Sequence, residues 1–161
     1  MTSRMITASQ YVTAPYEKIR DAFRADALDL VRRAVGEKRR DQAEPVVTLR
    51  AEIGPLEVGA PVDIDVAAVA EEVSMLGERM TRVDLSWKAA RAPALFPTMR
   101  ATLSITRLSS TETQLDLVGW YEAPLGLAGD AVDALVGHRV AASSVKRFVD
   151  DLAVHLGAAL R

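Results

Sequence analysis

The chain has 161 residues, of which 49% are hydrophobic and 26% charged, so it is long enough for one domain with a sizeable core and unlike a disordered chain. It contains no cysteine, which excludes disulfides, thiolate metal sites and a cysteine nucleophile. The formal net charge of −2 argues against a general nucleic-acid binder, which usually has a basic surface.

Targeting segments and internal repeats are not visible in the sequence. The N-terminal residues contain no apolar run of signal-peptide length, and no segment approaches the roughly 20 apolar residues of a membrane span. The sequence therefore predicts a single domain over residues 1–161, located in the cytoplasm and without integral membrane association.

The first elements in chain order are a strand and two short helices. Residues 6–13 alternate between two faces as a strand does, and Pro15 ends this strand and starts the first helix. A second helix is predicted over residues 26–35, with Asp26 as its N-cap. Gln10 stands on the apolar face of the strand, where a buried amide needs a ligand, a water or the backbone as its partner.

Alternation of apolar and polar residues then predicts five further strands. Their connections are too short for parallel crossovers, so we expect an antiparallel meander. One such connection is predicted over residues 54–61, which contain glycine and proline. The five predicted strands cover residues 47–53, 62–68, 81–88, 99–106 and 114–121.

The last part of the chain has helical spacing and no proline from about residue 127 to residue 160. An apolar stripe marks its second half, whereas the stripe around Val136 is out of phase with it. The shift falls near Gly137-His138, where a bend, a change of burial or a break into two helices explains it. The later stripe consists of Ala141, Val145, Phe148, Val149, Leu152 and Leu156.

Three local patterns resemble one superfamily. They are the strand-to-helix junction YVTAPYEKI (residues 11–19), the segments WKAA (87–90) and LFPTM (95–99), and GWYEAPLG (119–126) leading to GHRVA (137–141). They are similar to the START-like superfamily, also called the polyketide cyclase/dehydrase and lipid transport superfamily. The resemblance covers nearly the whole chain. Without cysteine, the Rieske oxygenase branch of the superfamily is excluded.

The resemblance implies an α+β helix-grip fold, shared with the Bet v 1 allergens. In this fold a curved antiparallel sheet of about six strands wraps around a long C-terminal helix, with two short helices after the first strand. An apolar cavity would lie between the concave sheet face and the long helix, with the loop over residues 123–126 near its mouth. The residues expected to line it are Val66, Val83, Leu85, Trp87, Met99, Leu103, Leu117 and Tyr121 on the strands and Val136, Val140 and Ser144 on the helix.

Few residues with acid–base or metal-binding chemistry lie on the apolar faces. His138 needs an orienting partner to act as a base, and a helix-edge histidine is the alternative interpretation. Because His138 and His155 lie far apart on one helix, they cannot share a metal, and we expect no metal and no cofactor. Trp87 and Tyr121 combine apolar area with a polar donor, so they either orient a planar ligand or pack in the core.

Three functions are compatible with these features. We expect binding, transport or sequestration of a small apolar or amphipathic molecule such as a lipid, without catalysis and without nucleic acid. An aromatase/cyclase-like enzyme would instead use Tyr121 or His138 to assist ring closure or dehydration. A protein-interaction module would use the outer sheet face around Trp120, and a homodimer is its plainest form.

Overall fold

The computed structural model describes residues 3–37, 46–53, 55–90, 98–122 and 131–161 of the chain. They form one strand, a first helical element, a series of further strands and a long C-terminal helix. In chain order the elements are β1 (Ser3–Val12), α1 (Tyr16–Val35), β2 (Gly36–Glu37), β3 (Val46–Ile53), β4 (Leu56–Val73), β5 (Arg79–Ala89), β6 (Thr98–Arg107), β7 (Thr113–Glu122) and α2 (Ala131–Leu160).

The strands form one antiparallel sheet in the order β1-β7-β6-β5-β4-β3-β2. β1 pairs with β7 along its whole length, from Ser3 opposite Glu122 to Val12 opposite Thr113. The predicted antiparallel meander is therefore confirmed. The structure adds one strand to the six predicted, because β2 has only two residues and is too short to show alternation.

β4 is longer than the sequence predicts. A connection is expected over residues 54–61, but the strand already begins at Leu56 and continues through Pro61. The regular pairing with β5 ends at Val62 opposite Ala89, and the carbonyl of Pro61 accepts a hydrogen bond from the amide of Ala90 at 3.0 Å. Proline is tolerated there because its missing N–H falls at the end of this ladder.

A β-bulge in β4 changes which residues face the core. The pairing with β5 shifts between Val66 and Ala68, which makes Ala67 the extra residue. Beyond the bulge Val69 packs against the core and Ala68 is exposed. The alternation predicted over residues 62–68 is right up to Val66 and wrong at Ala68, because one inserted residue reverses the two faces of a strand.

α1 consists of two short helices joined at Asp26, as predicted. Asp26 has non-helical backbone angles (φ −162°, ψ 88°), and its carboxylate accepts a hydrogen bond from the amide of Asp29 at 3.0 Å. This is the N-cap arrangement, which contributes about 1 kcal/mol to helix stability. Ile19, Phe23 and Val31 on the inner side of α1 are buried.

α2 is one helix from Ala131 to Leu160, so the alternative of two helices is wrong. Every residue of the predicted later stripe is buried, and burying a side chain such as Leu152 stabilises the fold by about 1.5–3 kcal/mol. The side chains of residues 131–137, Val136 among them, lie outside the described part, as do residues 123–126 of the predicted loop.

The sheet holds α2 from two sides. The backbone of α2 comes close to β1 and to β3, which lie towards opposite edges of the sheet, and it also packs against α1. In the part of the chain that the structure describes, the central strands β5 and β6 lie farther from this helix. A twisted, curved sheet produces this geometry, and the core fills the space between its concave face and α2.

Candidate functional site

The strand residues predicted to line the cavity are buried on the concave face, except for Val66. The register of the sheet aligns them in rows across β5, β6 and β7, because antiparallel partners point to the same face. One row consists of Val83, Leu103 and Leu117, and a second row consists of Trp87, Met99 and Tyr121. The buried residues are Val83, Leu85, Trp87, Met99, Leu103, Leu117 and Tyr121.

The row between these two contains smaller side chains. Leu85, Ala101 and Gly119 lie opposite one another on the three strands. A Cβ atom added to Gly119 would lie 2.9 Å from the sulfur of Met99. The flexible Met99 side chain therefore leans over the glycine from the neighbouring row and fills the depression that the small residues leave.

Three further predicted lining residues are either half-buried or hydrogen-bonded within their own helix. Val66 and Val140 are half-buried, and Val66 packs against the core. Ser144 is buried, but its hydroxyl donates to the carbonyl of Ala141 at 2.9 Å and is therefore satisfied within α2. This bond uses the only donor of the Ser144 hydroxyl, which can still accept a hydrogen bond.

Large side chains connect the central strands to α2. The rings of Trp87 on β5 and Phe148 on α2 are stacked, with centroids 5.2 Å apart and an interplanar angle of 29°. Such an offset aromatic pair adds about 0.5–1.5 kcal/mol beyond the burial of its surface. Of the two interpretations of Trp87, this contact supports the packing role.

Tyr121 and His138 meet at the other end of the same row. The hydroxyl of Tyr121 lies 3.1 Å from Nδ1 of His138, and the two ring centroids are 6.0 Å apart. Tyr121 is 3% exposed and His138 is half-buried. The sequence predicts both residues near the cavity but does not predict that they bind each other, because helix periodicity does not say which strand residue faces a given turn of the helix.

A polar network joins β1 to α2 and provides the partner for Gln10. The side-chain amide of Gln10 donates to the carboxylate of Asp150 at 3.0 Å, and Lys146 forms an ion pair with the same carboxylate. The side-chain oxygen of Gln10 accepts a hydrogen bond from the amide of Tyr11. Burial raises the pKa of Asp150, but hydrogen bonds from Lys146 and Gln10, with the charges of Lys146 and Arg147, outweigh burial and lower that pKa.

Two buried threonines are satisfied at the end of the sheet where α1 begins. The hydroxyl of Thr81 shares a 2.9 Å hydrogen bond with the hydroxyl of Tyr16, and the hydroxyl of Thr113 donates to the carbonyl of Ala14 at 2.8 Å. Both threonines are fully buried. These closed contacts are structural, since each hydroxyl already has its partner inside the fold.

Among the described residues, no group of three or more histidine, aspartate and glutamate side chains is arranged to hold a metal ion. No helix within those residues is both long enough and apolar enough to cross a membrane.

Comparison with known proteins identifies the fold. Neither a family model nor a curated protein matches the sequence. Among solved structures, the protein TTHA0849 of Thermus thermophilus superimposes with a TM-score of 0.55 at 18% identity, covering 97% of this chain and 99% of that one. A conserved protein of Geobacillus kaustophilus gives a TM-score of 0.57 at 11% identity, covering 98% of both chains.

A third likeness is to truncated norcoclaurine synthase of Thalictrum flavum, with a TM-score of 0.51 at 9% identity, covering 99% of this chain and 96% of that one. Identities of this size establish a shared fold and leave the function to be argued from the residues. The sheet order, the helix held between the two sides of the sheet and these likenesses show that the chain has the helix-grip fold.

Proposed function

We propose that the chain, acting as a single domain in the cytoplasm, binds a small hydrophobic or amphipathic molecule between the concave sheet face and α2. One observation carries the proposal. Among the described residues, the concave face of β5, β6 and β7 presents aligned rows of apolar side chains to a helix that comes closest to the sheet at β1 and β3. Small-molecule sites are usually concave, mainly apolar and furnished with few polar groups.

The adaptable part of this face is the middle row. Ala101 and Gly119 leave space, and Met99 fills it with an unbranched side chain that changes its rotamer at little cost. A ligand that displaces the Met99 side chain would gain contact with the sheet without moving the backbone. We therefore place the ligand over the row of Leu85, Ala101 and Gly119, between the sheet and α2.

A substitution that fills this row tests the proposal. Ala101→Phe adds a ring to a buried position on the concave face, whereas Arg100→Phe adds the same ring to the exposed outer face of the same strand. We expect Ala101→Phe to weaken binding of the fluorescent probe anilinonaphthalene sulfonate at least tenfold and Arg100→Phe to bind as the unmodified chain does. Circular dichroism and thermal unfolding verify that both variants fold, since overpacking costs about 1–3 kcal/mol.

Two outcomes would contradict the proposed binding function. One is probe binding by folded Ala101→Phe with unchanged affinity, which would show that the ligand does not lie over the middle row. The other is no probe binding by the unmodified chain, together with no small molecule in native mass spectra of the purified protein.

The contact of Tyr121 with His138 favours a second candidate, an aromatase/cyclase-like enzyme. A phenol and an imidazole in hydrogen-bond contact can pass a proton to and from a reacting carbonyl compound. The test is to incubate the chain with a linear triketone and follow the appearance of its aromatic ring-closed product. Enzymatic acceleration that Tyr121→Phe abolishes supports this candidate, and an unaltered background rate contradicts it.

The outer sheet face favours a homodimer as the form in which the chain acts. Met5 on β1 and Trp120 on β7 are cross-strand neighbours, and they are 60% and 44% exposed. Two adjacent large apolar side chains on an exposed face are a natural contact for a second copy. Analytical ultracentrifugation should show a dimer that dissociates in Trp120→Ala, and a chain that sediments as a monomer contradicts the proposal.

A further inference from the structure

The contact of Tyr121 with His138 is a polar contact on the inner side of the sheet that is not fully buried. Thr81 and Thr113 are fully buried and bind partners inside the fold, and the hydroxyl of Ser144 binds its own helix. The Tyr121–His138 pair differs from them because its imidazole is half-buried and therefore reachable from outside the protein core.

The Tyr121–His138 pair can form further hydrogen bonds in addition to the one between its two members. When Nδ1 of His138 accepts the hydrogen bond from the hydroxyl of Tyr121, the imidazole proton is on Nε2, which can donate to a further oxygen. In the other tautomer Nδ1 donates to the phenol oxygen, and the tyrosine hydroxyl donates outward. In either state the pair presents at least one hydrogen-bond donor, and a phenol or imidazole acceptor lies beside it.

The donor that the pair presents favours an oxygen as the ligand atom, because an oxygen accepts a hydrogen bond from either tautomer of the pair. A pure hydrocarbon would remove the pair from water without replacing the lost hydrogen bonds, which is unfavourable.

We propose that Tyr121 and His138 together anchor a hydroxyl or carbonyl oxygen at one end of an otherwise apolar ligand. This inference rests on the proposed binding function, and it narrows the ligand class from any apolar molecule to one with such an oxygen. The apolar part would lie over the middle row of Leu85, Ala101 and Gly119.

The test compares β-naphthol with β-methylnaphthalene, which share a ring system and differ in the hydroxyl group. We expect Tyr121→Phe and His138→Leu each to weaken binding of β-naphthol about tenfold, the effect of one neutral hydrogen bond, and to leave binding of β-methylnaphthalene unchanged. Tyr11→Phe is the matched control, because it removes the same hydroxyl from a tyrosine that is 66% exposed. Isothermal titration calorimetry measures each affinity.

The outcomes separate this inference from the binding function. If the unmodified chain binds neither probe, the binding function and the anchor both fail. If Tyr121→Phe leaves the affinity for both probes unchanged, the binding function stands and the anchor is wrong. If Tyr121→Phe weakens both probes equally, the tyrosine acts through packing, and the anchor is again wrong.

Discussion

The sulfur of Met99 lies over Gly119, where a Cβ atom would come within 2.9 Å of it. Gly119 is buried in the middle of β7, and a glycine inside a strand usually costs about 0.5–1 kcal/mol relative to alanine. The contact with Met99 explains why this position remains small. Packing of the methionine and backbone entropy therefore act in opposite directions at residue 119.

This opposition predicts coupling between the two residues. Gly119→Ala should destabilise the chain because the Met99 side chain must move, but in a Met99→Ala background the same substitution should stabilise it by about 0.5–1 kcal/mol. Urea unfolding of the two single variants and the double variant measures the coupling energy. Additive effects would mean that the methionine does not occupy the space over Gly119.

The stacked rings of Trp87 and Phe148 predict a large and local stability effect. Phe148→Leu should lower the free energy of unfolding by about 1–2 kcal/mol, because the aromatic contact is lost while most of the buried apolar volume stays. Val154→Ala on the same helix is the control: its side chain is 73% exposed, and we expect a change within about 0.5 kcal/mol. Equal losses in both variants would contradict the packing role of Phe148.

Local patterns suffice to predict most of the fold. Alternation predicts the strands, Asp26 caps the second part of α1 as expected, and the apolar stripe of α2 from Ala141 to Leu156 is buried. Each of these features depends on residues that are close together in the sequence, which is why the sequence alone is enough.

The features that the sequence does not predict depend on distant partners. The bulge after Val66 depends on the pairing of β4 with β5, and the continuation of β4 through Pro61 depends on its pairing with β3. Likewise, the hydrogen bonds of Gln10 with Asp150 on α2 and of Tyr121 with His138 join residues from different elements. Strand faces limit which side chains point inward, but the rotation and height of the helix over the sheet decide which of them meet.

The network around Asp150 predicts a pH dependence of stability. The pKa of Asp150 is lowered in the folded chain, since hydrogen bonds from Lys146 and Gln10 and neighbouring positive charges outweigh the opposing effect of burial. Its stabilising contribution is thus fully present above the unfolded aspartate pKa of about 3.9 and is lost as the pH falls through the lower folded value. Asp150→Asn should reduce the decline in unfolding free energy below about pH 4.

Asp84 predicts a pH dependence of stability with the same sign as that of Asp150. A hydrogen bond from Arg82 lowers the pKa of Asp84 against the effect of burial, and Thr102 adds a second hydrogen bond. Urea unfolding across this acidic range should therefore show a shallower decline for Asp84→Asn as well. A decline as steep as that of the unmodified chain in both variants would rule out these carboxylates as its cause.

Two glycines predict opposite responses to the same substitution. A Cβ atom at Gly157 in α2 would lie 3.9 Å from Cγ1 of Val12, an ordinary van der Waals contact, so Gly157→Ala should stabilise the chain by about 0.5–1 kcal/mol through helix propensity.

Gly77 has a φ of 79° in the turn between β4 and β5, where the carbonyl of Ser74 accepts its amide hydrogen bond. Among the described residues, no atom outside the turn lies within 4 Å of an added Cβ at residue 77, so the backbone conformation is what opposes alanine there. Gly77→Ala should therefore destabilise the chain by about 1 kcal/mol, and thermal unfolding of the two variants should give melting temperatures on opposite sides of that of the unmodified chain. Shifts of the same sign would contradict the assignment of one effect to helix propensity and the other to the left-handed backbone.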